Sequence, residues 1–254
     1  MTQRWPNRLW VVRHGESRGN IARDTARAAR LTHIDTGGRD VDVPLSGLGE
    51  QQSRALGHWF AKMPKGQQPD VVLTSPYLRA RQTAALIHDA GGLLLNPTDF
   101  IQDERLREKE FGVLDRLTRY GIEQHHPDQA EFRRILGKFY HRPPGGESWC
   151  DVILRLRSAL DTVSLHYSEA RVLIVAHQVV VLCLRYLLEN ITEEQILKID
   201  AEGDVANCAV TDYAFDPNMD QSGGLVLQAY NFVAPLQEQG APVTAEPDAP
   251  IGAR

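Results

Sequence analysis

Short apolar runs that stop abruptly at polar residues constrain this chain more than anything else in it. LWVV at residues 9–12 gives way to Arg13-His14-Gly15-Glu16, the run at 71–73 to Ser75-Pro76, and VLIVA at 172–176 to His177-Gln178. Continuous apolar runs of this length, without alternation, mark strands covered on both faces. Between them the apolar residues recur with the helical period. Ala55, Leu56, Trp59, Phe60 and Met63 form one face of a helix that Ser46 caps and Glu50 supports in its first turn. Val152, Leu156, Ala159, Leu160 and Val163 do the same behind Ser148, and Thr192 and Gln195 have capping-box spacing at a further short helix. Ser75-Pro76 reads as an N-cap with proline at the first helical position, and Gly91 as the stop. Residues 207–215 and 225–233 add two late strands. This alternation predicts an α/β fold, a three-layer α/β/α sandwich around a mostly parallel sheet.

In such a sheet the parallel strands deliver their polar ends to one edge, where ligands bind. His14 and His177 each follow a buried strand, so parallel neighbours would bring both imidazoles to one crevice. An imidazole there can attack phosphorus and carry the phosphoryl group as a phosphohistidine, splitting one hard displacement into two easier ones. That use requires a single tautomer, held by a hydrogen bond from the other ring nitrogen to a carbonyl. Arg13 beside it can neutralise phosphate oxygens with several donors. Gly15 lets the chain turn so that backbone N–H groups approach an anion. Ser17 and Asn20 are short donors just beyond the turn and are candidate phosphate contacts, while Glu16 is read as a brace for the arginines or histidines.

VVRHGES at 11–17, LTSPYLRARQTA at 73–84, LREKEFG at 106–112 and LIVAHQ at 173–178 together resemble the histidine phosphatase superfamily, in that family's order. The resemblance implies a phosphoglycerate mutase-like fold. It implies that Arg79 binds the transferred phosphate, with Arg81 facing elsewhere on the helix, and that His177 stabilises the transition state. Glu108 matches the proton donor, with Glu104 and Glu110 as neighbouring alternatives. Many members have glycine where this chain has Gln178, which either narrows the pocket or adds a donor. Mutases of the family carry tryptophan before the asparagine of the first motif, where this chain has Gly19-Asn20. FYHRPPGGES at 139–148 is similar to a segment of the fructose-2,6-bisphosphatase-like branch, which makes Tyr140, Arg142 and Lys138 candidates for a second anionic group and Glu147 a tether. The implied activity is a phosphomonoesterase working without cofactor on a small phosphate ester. The alternatives are a phosphoglycerate mutase-type phosphotransferase and a non-catalytic phosphate-ester-binding module.

Bulk properties set the remaining bounds. The 254 residues are 42% apolar and carry a net charge of −5, which disfavours a general nucleic-acid binder and obliges a phosphate site to supply its own positive field. No apolar stretch approaches the roughly 20 residues of a membrane span, and the first residues lack a secretory apolar core. Cys150, Cys183 and Cys208 have no metal-ligand spacing and read as reduced thiols of a cytoplasmic protein. No carboxylate cluster suggests a metal, and cationic side chains supply what magnesium would. Residues 1–234 are expected to form one domain with a helical cap at about 113–147, and residues 235–254 a disordered tail.

Overall fold

The computed structural model describes residues 3–219 and 223–245. Six strands form one sheet: β1 (Arg8–Arg13), β2 (Val71–Thr74), β3 (Ile101–Gln102), β4 (Arg171–Ala176), β5 (Val210–Asp216) and β6 (Gly224–Phe232), in the order β3-β2-β4-β1-β5-β6. The first four in that order run parallel, whereas β5 is antiparallel to β1 and to β6. The mostly parallel sheet is as expected. The β2 strand does not pair with β1, because β4 lies between them. A sequence run identifies a buried strand, but only long-range packing chooses its neighbour.

Side-chain alternation assigns each face a core. Leu9, Val11, Val172 and Ile174 face α6 (Trp149–His166) and α7 (Gln178–Leu188). Trp10, Val12, Val72 and Val175 face α2 (Gly47–Ala61) and α3 (Leu78–Asp89). This is a three-layer arrangement in which both faces of each central strand are dry. Ser46, Ser148 and Thr192 cap α2, α6 and α8 (Glu193–Glu202), the latter two through full capping boxes.

Two local expectations are revised. The helix after β2 begins at Leu78, not at Pro76, because Ser75 is still on the ladder: its N–H donates to Val175 O and its Oγ accepts from the Tyr77 N–H. The tail is ordered as far as it is described. Pro235 and Leu236 are buried in α9 (Ala234–Glu238), and Thr244 pairs with Asn207 and with Gln52. Residues 246–254 lie outside the described part. The cap consists of α4 (Arg119–His125) and α5 (Pro127–Tyr140), the latter kinked at Gly137, and α1 (Arg18–Ala28) leads into the loop that precedes α2. No described helix is long and apolar enough to cross a membrane.

Candidate active site

The carboxyl ends of β2, β4 and β1 lie side by side, and α3, α7 and α1 begin just beyond them. Helix N-termini carry partial positive charge, so this edge is suited to an anion before any side chain is counted. Register then places the histidines. Arg13 pairs with Ala176, and the next residues, His14 and His177, bring their ring centroids to 5.1 Å. Both rings are fully buried.

His14 Nδ1 lies 2.7 Å from the Gly15 carbonyl oxygen. A carbonyl only accepts, so Nδ1 carries the proton and Nε2 keeps its lone pair. Nε2 accepts from Arg79 Nε at 3.2 Å. The His14 carbonyl accepts from Asn207 Nδ2 at 3.0 Å, and the Arg13 carbonyl accepts from the Cys208 N–H at 3.0 Å. The turn at Asn207-Cys208, with Cys208 at a φ of 55°, therefore fixes the backbone that bears the two site residues. Gly15 serves close packing rather than an anion: its N–H donates to Thr83 Oγ1, and a Cβ there would lie 2.5 Å from Gly49 O.

The two arginines are buried and held. Arg13 Nη1 donates to Val205 O. Arg79 spends its fork on Asp40, with Nη1 2.7 Å from the backbone oxygen and Nη2 3.0 Å from Oδ2. Asp40 thus puts carboxylate oxygens on the donors that the resemblance assigns to a phosphate. Sequence reasoning missed Asp40, because an acid in a long loop carries no pattern. It also missed Ser75 and Tyr77. Ser75 Oγ is 2.7 Å from His177 Nε2. The Tyr77 ring packs edge-on against His177 with centroids 5.1 Å apart, and its hydroxyl donates to Glu110. Burial and then the Glu110 charge push the Tyr77 hydroxyl far above its usual range, so it stays a donor.

Of the three acids in the 104–110 turn, Glu108 is buried and Glu104 and Glu110 are exposed. Glu108 Oε1 accepts from the Lys109 N–H at 2.8 Å, and its carbonyl accepts from Arg155 Nη2. Arg155 and Arg107 both donate to Glu147, which also accepts from the Glu110 N–H. Glu147 is the expected tether, and these arginines hold its carboxyl below the usual range against the opposing effect of burial.

The remaining candidates make structural contacts of their own. Ser17 caps α1: its Oγ accepts from the Asn20 N–H and its own N–H donates to Asn20 Oδ1, so the hydroxyl belongs to a capping box. Asn20 is buried beside it. Glu16 does not brace the cations; it accepts from the Ser46 hydroxyl at the start of α2. Gln178 Nε2 donates to Asp204. Tyr140 donates to Glu193 and Lys138 to Asp200, both on α8, while Arg142 donates to the Gly146 carbonyl within the same segment.

A family model described as histidine phosphatase superfamily (branch 1) matches residues 9–223. A 2,3-bisphosphoglycerate-dependent phosphoglycerate mutase of Rhizobium meliloti is 32% identical over 201 residues, 76% of this chain and 84% of that protein. A fructose-2,6-bisphosphatase of Saccharomyces cerevisiae is 30% identical over 190 residues, 75% of this chain but 36% of that protein. Among solved structures, Bacillus stearothermophilus YhfR aligns with a TM-score of 0.67 at 27% identity, covering 90% of this chain and 98% of that one.

Proposed function

The chain belongs to the histidine phosphatase superfamily, and on that premise we propose that it is a phosphomonoesterase working through a phosphohistidine at His14. The observation that carries this reading is the tautomer of His14. Its Nδ1–H is committed to Gly15 O, and its Nε2 lone pair stands beside the Arg79 guanidinium. Nε2 attacks phosphorus and the P–O ester bond breaks. The carboxyl of Glu108 passes its proton to the leaving alkoxide. Glu108, now a carboxylate, takes a proton from water as the water oxygen attacks phosphorus. The P–N bond breaks, phosphate leaves and His14 regains its lone pair. Arg13, Arg79 and His177 hold the equatorial oxygens, where the charge of the transition state is spread. For Arg79 to do so, Asp40 must give up the fork.

A phosphoglycerate mutase-type transfer is the second reading, favoured by the Rhizobium meliloti relative. Hydrolysis is preferred on Gly19-Asn20, which replaces the tryptophan-asparagine pair of the mutases. The test is phosphate release from a panel of phosphomonoesters with EDTA present, comparing wild type with His14→Ala. Release by wild type alone supports the metal-independent hydrolase. Without release, transfer between hydroxyls in a 2,3-bisphosphoglycerate-primed assay would support the mutase. If neither occurs, thermal stabilisation by phosphate esters would leave only a binding module.

A further inference from the structure

Two peptide planes flank Gly15 and hold the His14 ring. In the first, the His14 carbonyl accepts from Asn207 Nδ2 at 3.0 Å, and the Gly15 N–H donates to Thr83 Oγ1 at 3.0 Å. In the second, the Gly15 carbonyl lies 2.7 Å from His14 Nδ1, and the Glu16 N–H donates to Gln52 Oε1 at 2.8 Å. A peptide unit is planar, so a bond to one end of a plane also aims the group at its other end. Asn207 and Gln52 are both fully buried. Their backbone partners settle which way each amide points: Gln52 turns Oε1 to an N–H, and Asn207 turns Nδ2 to a carbonyl. The far ends of the two amides then offer one donor and one acceptor. A single hydroxyl meets both. Thr244 Oγ1 accepts from Gln52 Nε2 at 2.9 Å and donates to Asn207 Oδ1 at 3.0 Å.

Backbone bonds seat this hydroxyl. The Asn207 N–H donates to the Thr244 carbonyl at 2.8 Å, and Gln52 Nε2 also donates to the Pro242 carbonyl at 3.0 Å. Just before, the Ala241 N–H donates to the carbonyl of the fully buried Leu236 at 2.9 Å. We propose that residues 242–244 brace the nucleophile: Thr244, through Asn207 and Gln52, holds the two peptide planes that set the tautomer and the aim of the His14 ring. Thr244 is a positioning residue. Without its hydroxyl, Asn207 Oδ1 is a buried acceptor with no side-chain donor, which costs free energy. The amide relieves that cost by turning, and turning takes Nδ2 away from the His14 carbonyl. The Gly15 plane follows, and with it the bond to Nδ1. The effect on turnover rests on the phosphohistidine reading; the effect on the ring does not.

The readout is the His14 Nδ1–H proton, followed by NMR in the full chain with isotope-labelled histidine and assigned by its absence in His14→Ala. Thr244→Val keeps the outline and the backbone bonds and removes only the hydroxyl. Exchange of the ring proton with water should quicken about fivefold to tenfold in Thr244→Val and return to the wild-type rate in Thr244→Ser. Thr192→Val is the control for general loosening. It removes the side-chain cap of α8, a comparable loss of stability, and should leave the exchange unchanged. Unaltered exchange in Thr244→Val would overturn the proposal, as would a change that serine does not restore or an equal change in Thr192→Val. In turnover of p-nitrophenyl phosphate, Thr244→Val should lower kcat about tenfold and shift KM by less than about twofold, with kcat restored by serine. An unchanged kcat beside an active wild type would also overturn it. If the wild type releases no phosphate while the ring proton responds as expected, the brace stands and the phosphatase reading falls.

Discussion

The crevice and the cap cavity, which Lys109 and Arg133 line, both gather buried cations, and they treat them in opposite ways. In the crevice, Arg13 is held by Val205 O, and Arg79 by Asp40 and His14. In the cap, the Lys109 and Arg133 side chains have no hydrogen-bond or ion-pair partner among the described residues. The first region is set in advance by strand register and backbone, which is what electrostatic stabilisation of a transition state needs. The second holds cations whose counter-charges act only from a distance, which folding alone does not reward.

Removing the nucleophile should give the largest effect. His14→Ala is expected to lower kcat by about 10⁴-fold or more, since it removes the nitrogen on which the phosphoenzyme forms. Single-turnover trapping of an acid-labile phosphoenzyme should fail in the same variant. Residual activity within tenfold of wild type would move the nucleophile elsewhere and dissolve the contrast. Because His14 is fully buried, the variant should also lose some stability through the cavity it leaves.

Glu108→Gln should come next. Alkyl esters, which need a proton on the departing oxygen, should slow by roughly 10²- to 10³-fold, and p-nitrophenyl phosphate by much less. Equal losses on both would take the proton-donor role from Glu108 and reopen it for Glu110, which is exposed and hydrogen-bonded to Tyr77.

The two regions were also unequally legible. His14 and His177 could be placed together because both follow unbroken apolar runs, and the register of β1 on β4 carries that inference to 5.1 Å. Strand burial is written in local sequence, and so are caps such as Ser46 and Ser148. What was missed depends on distant chain segments. Asp40 meets Arg79 across 39 positions, and Ser75 meets His177 across 102. In the cap, an arginine- and histidine-rich surface hides which cations are paired. Lys138 looked available and is engaged, whereas Lys109, which nothing in the sequence singled out, faces the cavity.

Lys109→Met sharpens the comparison from the side of stability. The ammonium sits well below its ordinary value, at about 8, so its charged form penalises the folded state by about 3 kcal/mol. Below the folded value both states are protonated and the full penalty is present. Between about 8 and the unfolded value the unfolded chain binds more protons, so the penalty is shed as pH rises. Melting followed from pH 7 to 10 without phosphate should show the variant several degrees above wild type at pH 7, with the gap narrowing toward pH 10. A gap that is absent, or that widens with pH, would mean that Lys109 has a counter-charge in solution.

Asp40→Asn should produce the smallest change and bears on what the pairing in the crevice is for. Asp40 is half-exposed, so its ion pair with Arg79 is screened by solvent and is worth about 1 kcal/mol. If Asp40 only occupies the fork until phosphate arrives, the amide should tighten competitive inhibition by phosphate by about fivefold, with little change in kcat. If Asp40 instead orients Arg79 toward His14, the amide should weaken phosphate and lower kcat together. The first result would show that even the prepared region keeps a removable counter-charge at its mouth. Its difference from the cap would then be one of distance, since Asp40 touches Arg79 whereas the acids around Lys109 act on it only from afar.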